Sequence, residues 1–306
     1  MPASKTLIVI TGPTGVGKTA VAIDTAQRLG CEIINADSRQ VFKGIPIGTA
    51  APTPEEQALV PHHFVQFKNL DEYYSAAQFE ADVMALLPSL WARSDYAVMC
   101  GGSMMYVDAV CKGIDVMPDV SDKVRQATKQ QYRDEGLAAM LAELERLDPD
   151  YYAIVDRNNP KRVVHAVEIC RSTGTTYTSL RTGKVKERPF NIVKIGLNMA
   201  RDLLFDRINR RVDTMMTLGL EAEARSVYGL RHLNSLNTVG YKEMFAYFDG
   251  KMDLETAVAR IKKNTRVYAK KQLTWYARDP GMVWCTPQQF GATLESELKK
   301  LQSLHE

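Results

Sequence analysis

The stretch Gly12-Pro13-Thr14-Gly15-Val16-Gly17-Lys18-Thr19 decides the fold class of this chain. It fits the pattern G-x-x-x-x-G-K-[ST] at every position, follows the apolar run Thr6–Thr11 and precedes a helical pattern over Lys18–Leu29. In this context the glycines turn backbone N–H groups toward phosphate oxygens, and the helix N-terminus adds a positive dipole end. Lys18 supplies a positive charge, and Thr19 supplies a hydroxyl for Mg²⁺. The stretch therefore predicts a P-loop that grips a diphosphate or triphosphate.

Further strand and helix patterns place this loop in an α/β fold. Short apolar runs predict buried strands, and periodic segments between them predict helices. Strands that alternate with helices indicate a parallel sheet with helices on both faces. The predicted strands after the first are Glu32–Ala36, Tyr96–Cys100, Asn191–Asn198 and Met282–Cys285, the predicted helices are Ser75–Trp91 and Pro287–Leu304, and Arg39–Pro61 is predicted as mostly loop.

The character of the sequence changes after Met117-Pro118-Asp119. From Val120 to about Arg181 the chain is charged, helix-forming and poor in strand signals. We predict a helical insertion over residues 119–187, within a P-loop core formed by residues 1–118 and 188–306. The part of that core from Arg201 to Arg278 is predicted to be mostly helical.

Composition narrows the class of protein. With 306 residues, 45% of them hydrophobic, the chain can bury a sizeable core. Its five cysteines include no CxxC pair, so neither a disulfide framework nor a zinc site is indicated. No apolar run reaches membrane-spanning length, and the apolar run before the P-loop is too short for a signal peptide. We expect a soluble, cytoplasmic protein and a monomer.

The distribution of charge is more informative than the net charge of +3. Between Asp156 and Arg188 the chain has eight basic and three acidic residues, and between Val258 and Arg278 it has seven basic residues and no acidic one. Lys262, Arg266 and Lys270 follow at helical spacing and would share one face. One basic stripe is usually a solvated helix face, but two such segments favour a polyanionic partner.

A P-loop indicates phosphate binding without defining the reaction. A kinase or ATPase usually has an apolar strand that ends in a magnesium-binding Asp. The run Tyr96–Cys100 ends instead in Gly101-Gly102-Ser103, whereas Glu32–Ala36 does lead to Asp37. Asp37 is therefore a candidate magnesium ligand, a base acting on an acceptor, or a helix N-cap. Ser103 is a candidate for hydrogen bonding near the reacting centre or the metal, and also for an N-cap.

Further motifs resemble those of the tRNA dimethylallyltransferases, also called the IPP transferase family, in their bacterial form. The resemblance runs in order along nearly the whole chain. Several positions depart from the family pattern, because Phe42, Ala51, Ser103 and Asn237 stand where the family often has Tyr, Lys, Thr and Arg. The matching segments begin with Asp37-Ser38-Arg39-Gln40-Val41-Phe42 and Ile47-Gly48-Thr49-Ala50, continue with Pro61-His62-His63, Tyr74-Ser75-Ala76, Gly101-Gly102-Ser103-Met104-Met105-Tyr106 and Asn159-Pro160-Lys161-Arg162, and end with Arg207-Ile208-Asn209-Arg210-Arg211, Thr238-Val239-Gly240-Tyr241-Lys242-Glu243 and Lys271-Gln272-Leu273-Thr274-Trp275.

The resemblance implies transfer of a dimethylallyl group from dimethylallyl diphosphate to N6 of adenine 37, a nucleotide beside the anticodon of tRNAs that read codons beginning with U. It matches Asp37 to the general base that helps the weakly nucleophilic amine. It also points to Arg211 as a guanidinium for the leaving diphosphate, beside Lys18 and a Mg²⁺ ion on Thr19. Ser103 keeps the hydroxyl of the family's Thr. Ala51 and Asn237 each lose a charge, which affects individual phosphate contacts rather than the chemistry.

By the same resemblance, four segments line a site for the tRNA anticodon stem-loop. The basic segments agree with two of these assignments, and Trp275 and Tyr276 are candidates for base stacking, although aromatic side chains more often belong to the core. The residues expected to contact tRNA are Asp37, Ser38, Arg39 and Gln40; Lys161, Arg162, Val163, Val164 and His165; Asn237, Thr238, Val239, Gly240, Tyr241 and Lys242; and Lys271, Gln272, Trp275 and Arg278.

Three other readings compete with this prediction. A P-loop kinase of a small acceptor would bind ATP, but it leaves the basic segment before Arg278 unexplained. A nucleotide-dependent RNA-binding switch explains the basic segments, but not why Asp37 and Ser103 flank the phosphate site. An isopentenyltransferase acting on free adenine nucleotides has little need for the long insertion and the basic segments.

Overall fold

The computed structural model describes residues 5–115 and 117–303. Its sheet has the strand order β3-β2-β4-β1-β5-β6, and every pairing is parallel. The predicted P-loop type of α/β fold with a parallel sheet is therefore confirmed. The strands are β1 (Thr6–Thr11), β2 (Ile33–Asn35), β3 (His62–His63), β4 (Tyr96–Cys100), β5 (Asn191–Leu197) and β6 (Val283–Cys285).

Helices connect these strands in both halves of the chain. Those before the insertion are α1 (Lys18–Leu29), α2 (Pro46–Thr49), α3 (Pro54–Leu59), α4 (Ala76–Trp91) and α5 (Met104–Lys112). The insertion holds α6 (Asp122–Leu147), α7 (Pro149–Ile154), α8 (Pro160–Thr173) and α9 (Tyr177–Leu180). After β5 come α10 (Arg201–Thr217), α11 (Leu220–Ser226), α12 (Tyr241–Phe248), α13 (Leu254–Tyr276) and α14 (Phe290–Ser303).

The chain divides into two compact units. One comprises the chain up to Cys111 and from Glu187 onward, and the other is Lys112–Lys186, where the sequence predicted an insertion over 119–187. The second unit packs its own apolar cluster, in which Met140 and Leu144 of α6 meet Val163 and Val167 of α8. No helix among the described residues is both long and apolar enough to cross a membrane.

Alternation along β1 explains why helices cover both faces of the sheet. Successive side chains of a strand point to opposite faces. Leu7 and Val9 join one buried cluster with helix α4, and Ile8 and Ile10 join another with helices α1 and α14. Because both faces are buried, the run of β1 is apolar throughout rather than alternating.

Several of the predicted elements need correction. The two-residue strand β3 was missed, because two residues carry no periodicity. The predicted loop Arg39–Pro61 contains the short helices α2 and α3. The predicted last helix begins as a 3₁₀ turn over Pro287–Gln289 before α14, and its predicted final residue, Leu304, lies outside the described residues.

Candidate active site at the carboxyl edge of the sheet

The neighbouring strands β2, β4 and β1 end at one edge of the sheet, which brings three predicted segments together. The P-loop follows β1, the Asp37 turn follows β2, and Gly101-Gly102-Ser103 follows β4. The Thr11 hydroxyl donates to the Gly101 carbonyl at 3.1 Å, which joins two of these connections. In open α/β sheets, ligands bind at this edge.

The P-loop holds Lys18 at the start of α1. Gly12 has a φ of 135° and lies so close to β5 that a Cβ there would be 2.4 Å from the Leu197 carbonyl oxygen, so only glycine fits. The Lys18 ammonium donates to the carbonyl oxygens of Gly12 and Pro13, each at 3.0 Å. Burial lowers the pKa of Lys18 to about 8. Lys18 is thus a desolvated cation aimed at the loop that would hold phosphate.

Gln272 of α13 ties the P-loop to the turn after β4. Its Oε1 accepts from the Thr14 backbone N–H at 2.8 Å, and its Nε2 donates to the Gly102 carbonyl at 2.9 Å. The side chain is only 2% exposed. Both ends of this amide therefore bind the backbone of the site, and Gln272 also lines the cavity beside the P-loop, so its predicted contact with tRNA stays a prediction.

Arginines of α10 face the P-loop across a cavity of about 590 Å³, called here the phosphate cavity. Arg211 donates to the Thr14 hydroxyl at 3.0 Å, and burial lowers the pKa of Arg211 while Asp37 opposes that shift. Arg207 and Arg210 line the same cavity. The sequence argument named only Arg211, although the spacing of the three arginines already places them on one side of a helix.

Asp37 occupies the turn after β2. Its Oδ1 accepts from the backbone N–H of Arg39 at 2.8 Å and of Gln40 at 3.3 Å. These contacts resemble the predicted capping role, but they stabilise a turn rather than a helix and involve one carboxylate oxygen. Asp37 also lines the phosphate cavity. Asp37 therefore stabilises a turn beside the phosphate cavity, and its roles as a general base or a magnesium ligand stay predictions.

Ser103, which follows β4, stabilises the Asp37 turn through its hydroxyl. Its hydroxyl accepts from the Ser38 backbone N–H at 2.7 Å and donates to the Ser38 hydroxyl at 3.1 Å, and the residue is 7% exposed. The alternative prediction, a side-chain cap on α5, is not what this hydroxyl does. Ser103 instead holds the segment that carries Asp37.

A second cavity of about 330 Å³ adjoins the phosphate cavity. Its walls come from the turn at Ser38 and Arg39, from α10 and α13, and from the segment Asn237–Gly240 with Lys242. Five residues line both cavities, and they mark where the two meet: Thr14, Asp37, Thr49, Arg211 and Tyr268. Tyr268 was missed by sequence reasoning, although it stands in the basic segment of α13 and burial raises the pKa of its phenol to about 12.

The segment predicted to contact tRNA around Thr238 lines the second cavity with one exception. Asn237, Thr238, Val239, Gly240 and Lys242 contribute to its wall. Tyr241 does not, because its side chain is 0% exposed. The prediction of a direct tRNA contact is wrong for Tyr241, which belongs to the core.

The side chains of Arg39 and Gln40 donate hydrogen bonds to backbone carbonyl groups close to the two cavities. The Arg39 guanidinium donates to the carbonyl oxygens of Asn234 at 2.7 Å and Ser235 at 3.1 Å, which joins the turn after β2 to the segment just before Asn237. The Gln40 amide donates to the carbonyl oxygens of Thr49 and Ala50. Both residues border the cavities, as the prediction of a tRNA site requires, but these polar groups already have protein partners.

The predicted basic face of α13 exists, but it turns toward α10. Lys262 forms an ion pair with Asp213 at 2.5 Å, Arg266 donates to Asn209 at 2.5 Å, and Lys270 lies 5.5 Å from the Phe205 ring centroid. Lys262 and Arg266 therefore take part in helix packing, whereas Lys270 is exposed. On the neighbouring face of α13, Arg260, Lys263 and Lys271 are exposed.

The aromatic pair at the end of α13 is core rather than a stacking platform. Trp275 donates from its indole to Asp108 at 2.8 Å, and Tyr276 is only 2% exposed. The predicted role in base stacking is therefore wrong for Tyr276, and Trp275 is held by a protein partner. Lys271 and Arg278 of the same segment are exposed.

In the insertion, α8 presents part of the predicted segment to solvent. Lys161, Arg162 and His165 are exposed, whereas Val163 is fully buried and Val164 packs against the same apolar cluster. The prediction of a tRNA contact is wrong for Val163, because a buried core position is unavailable to any partner. For the exposed residues of α8, contact with tRNA stays a prediction.

The described residues contain no group of three or more His, Cys, Asp or Glu side chains arranged for a metal ion. Thr19 lines the phosphate cavity. Mg²⁺ at phosphate sites usually takes one or two protein ligands, and substrate oxygens and water complete its shell. The Thr19 hydroxyl fits that pattern, so this site suits a Mg²⁺ ion that arrives with a diphosphate.

Together, the parallel sheet and the P-loop define a P-loop protein of the α/β class, and the cationic cavity at the carboxyl edge of its sheet suits a phosphorylated ligand. A protein-family model described as IPP transferase matches residues 40–279. The chain belongs to the IPP transferase family, as the sequence resemblance predicted.

Individual relatives agree with this assignment. The chain is 58% identical to tRNA dimethylallyltransferase 1 of Phocaeicola vulgatus, over 93% of this chain and 95% of the relative. Among solved structures, it is similar to the full-length tRNA isopentenylpyrophosphate transferase of Bacillus halodurans, with a TM-score of 0.72, 35% identity, and coverage of 98% of this chain and 99% of that one. It is also similar to a eukaryotic dimethylallyltransferase acting on tRNA, with a TM-score of 0.75, 28% identity, and coverage of 89% and 69% respectively.

Proposed function

We propose that this enzyme transfers a dimethylallyl group from dimethylallyl diphosphate to N6 of adenine 37 in tRNAs that read codons beginning with U. The products are N6-isopentenyladenosine and diphosphate. One observation carries the proposal: Asp37 and Arg211 lie where the phosphate cavity and the second cavity meet. A donor held by its diphosphate on one side and a base presented from the other would react at that junction. The names of the relatives, which are tRNA dimethylallyltransferases, support the same reaction.

The leaving group accounts for the cations of the phosphate cavity. The N6 amine attacks the first carbon of the allyl group, and the bond from that carbon to the diphosphate oxygen breaks. Negative charge therefore grows on that oxygen, where P-loop N–H groups, Lys18 and Arg211 stabilise it. The Thr19 hydroxyl would hold a Mg²⁺ ion that arrives with the donor, and that ion would further neutralise the diphosphate.

The weak nucleophilicity of the acceptor amine explains why a carboxylate such as Asp37 is needed. An exocyclic adenine amine is a weak nucleophile, because its lone pair is delocalised into the ring, and it must lose a proton as the new C–N bond forms. A carboxylate within reach takes that proton as a general base. Oδ1 of Asp37 already accepts two backbone N–H groups, so we assign the proton to Oδ2.

The second cavity suits an extruded base. Adenine 37 stacks within the anticodon loop and must leave that stack to react. Tyr268 offers an aromatic ring where the cavities meet, and Lys242 adds a positive charge to the wall. Exposed Lys161, Arg162 and Lys271 are suited to contact tRNA phosphates.

The choice of donor separates this proposal from a P-loop kinase. A ligand that binds only the folded protein stabilises it by about 2.7 kcal/mol at one hundred times its Kd. We therefore expect dimethylallyl diphosphate with Mg²⁺ to raise the melting temperature more than ATP with Mg²⁺ does at equal concentration. Lys18→Ala serves as the control, since it should lose most of either shift. A larger shift with ATP would favour the kinase and contradict the proposal.

The choice of acceptor separates it from an enzyme that prenylates free adenine nucleotides. Transfer from labelled donor should be fast with tRNA and negligible with AMP, ADP or ATP. Faster transfer to a free nucleotide would overturn the tRNA assignment while leaving the donor assignment intact. A monomeric enzyme in the cytoplasm remains a prediction.

A further inference from the structure

Glu223 of α11 accepts three hydrogen bonds on one carboxylate. The backbone N–H of Ile47 donates to Oε2 at 2.8 Å, and the backbone N–H of Gly48 donates to Oε1 at 2.7 Å. The Tyr241 hydroxyl donates to Oε1 at 2.5 Å. Ile47 and Gly48 belong to the four-residue helix α2, which is too short to be stable by itself. The position of α2 therefore depends on Glu223.

Helix α2 packs so closely against α12 that a displacement of one would move the other. A Cβ on Gly48 would lie 2.5 Å from the Tyr241 hydroxyl oxygen, so only glycine allows the phenol to approach. The same hydroxyl lies 3.2 Å from the Ile45 carbonyl oxygen, and Tyr241 is fully buried. The Tyr241 hydroxyl donates its proton to the carboxylate of Glu223. Burial and that carboxylate both raise the pKa of Tyr241, so the hydroxyl stays protonated and remains a donor.

A continuous series of hydrogen bonds leads from α2 to Asp37. The Gln40 side-chain amide donates to the carbonyl oxygens of Thr49 at 3.0 Å and Ala50 at 2.8 Å, at the end of α2. The backbone N–H of Gln40 donates to Oδ1 of Asp37 at 3.3 Å. Thr49 also lines both cavities. Glu223 thus fixes α2, α2 fixes Gln40, and Gln40 holds one oxygen of Asp37.

We propose that Glu223 is a positioning residue for the transfer step, acting on Asp37 through α2 and Gln40. The inference rests on the proposed function, because it concerns the orientation of the base in that reaction. It requires a carboxylate, since all three partners are donors. A carboxamide offers one acceptor oxygen and turns its own N–H groups toward a donor.

The first test is Glu223→Gln in single-turnover transfer to tRNA. Small displacements of a reacting group cost up to about 100-fold in rate, so we expect a loss of about 10- to 100-fold. The Kd for dimethylallyl diphosphate should change by less than about threefold, because Gln272 and not α2 holds the P-loop. Glu221→Gln is the matched control: Glu221 lies on the same helix but pairs with exposed Arg225, and its variant should keep the wild-type rate. A wild-type rate for Glu223→Gln would overturn the inference.

A double-mutant cycle separates positioning from general loss of structure. Gln40→Leu breaks the same series of hydrogen bonds between α2 and Gln40. The double variant with Glu223→Gln should therefore be no slower than the slower single variant. Additive losses would overturn the inference. If Glu223→Gln melts below the assay temperature, Tyr241→Phe decides instead: it removes one of the three donors to Glu223, so it should lower the transfer rate at an unchanged donor Kd, and a wild-type rate would overturn the inference. Failure of the proposed function appears separately, as wild-type protein that does not modify tRNA.

Discussion

The substitution Asp37→Asn isolates the proton-accepting role of the residue at the junction of the two cavities. Asparagine keeps a carbonyl oxygen where Oδ1 now accepts from Arg39 and Gln40, at 2.8 and 3.3 Å, so the turn should remain. What is lost is the carboxylate oxygen that takes the proton. General-base catalysis contributes about 10²- to 10⁴-fold, which corresponds to about 2.7–5.4 kcal/mol in the activation barrier.

Three measurements on that variant distinguish the roles that the sequence left open. Single-turnover transfer should slow by about 100-fold or more, while donor Kd and melting temperature stay near the wild-type values. A magnesium ligand would behave differently, because donor affinity and metal dependence would collapse together. Asp37→Ala provides the comparison for the turn, since it removes both hydrogen bonds and should also cost about 0.5–2 kcal/mol of stability. A near-wild-type single-turnover rate for Asp37→Asn would refute the catalytic assignment.

Three further predictions concern the phosphate cavity, the surface of α13 and the junction of the cavities. Burial holds the pKa of Lys18 at about 8, so the ammonium loses its charge as the pH rises through that value, and donor affinity should fall about tenfold from pH 7 to pH 9. A donor affinity that does not change with pH, but disappears in Lys18→Ala, would contradict this. Reversal of Arg260, Lys263 and Lys271 to Glu should weaken tRNA binding and lower its salt slope by about two, with donor Kd unchanged; an unaltered slope would show that this face is only solvated. Base stacking contributes about 1–3 kcal/mol, so Tyr268→Ala should weaken productive tRNA binding by about tenfold or more while Tyr268→Phe stays within about threefold, and equal losses in both variants would argue against stacking.

The elements best predicted from sequence are those with strong local signals. The strand β1, the P-loop and the helix α1 follow each other without a gap, and β1, β4 and α1 begin and end where the patterns placed them. A carboxylate after β2 could be expected at the same edge as the P-loop, because parallel strands end together.

What the sequence could not show are contacts between distant segments. Thr14 and Gln272 are 258 positions apart, yet one hydrogen bond joins them. Periodicity correctly placed Lys262 and Arg266 on one face of α13, but it carries no information about the helix that this face meets. Motif resemblance marked Tyr241 and Val163 as parts of functional segments without separating side chains that reach a ligand from those that support the fold.

The central claim is most directly tested by mass analysis of tRNA. Bulk tRNA is incubated with the protein, dimethylallyl diphosphate and Mg²⁺, then digested, and the fragments are measured. The account predicts a gain of one dimethylallyl group, confined to adenine 37 in tRNAs that read codons beginning with U, and no gain with Lys18→Ala or without donor. Unmodified tRNA from a preparation that binds the donor, or a dimethylallyl group at another nucleotide, would contradict it.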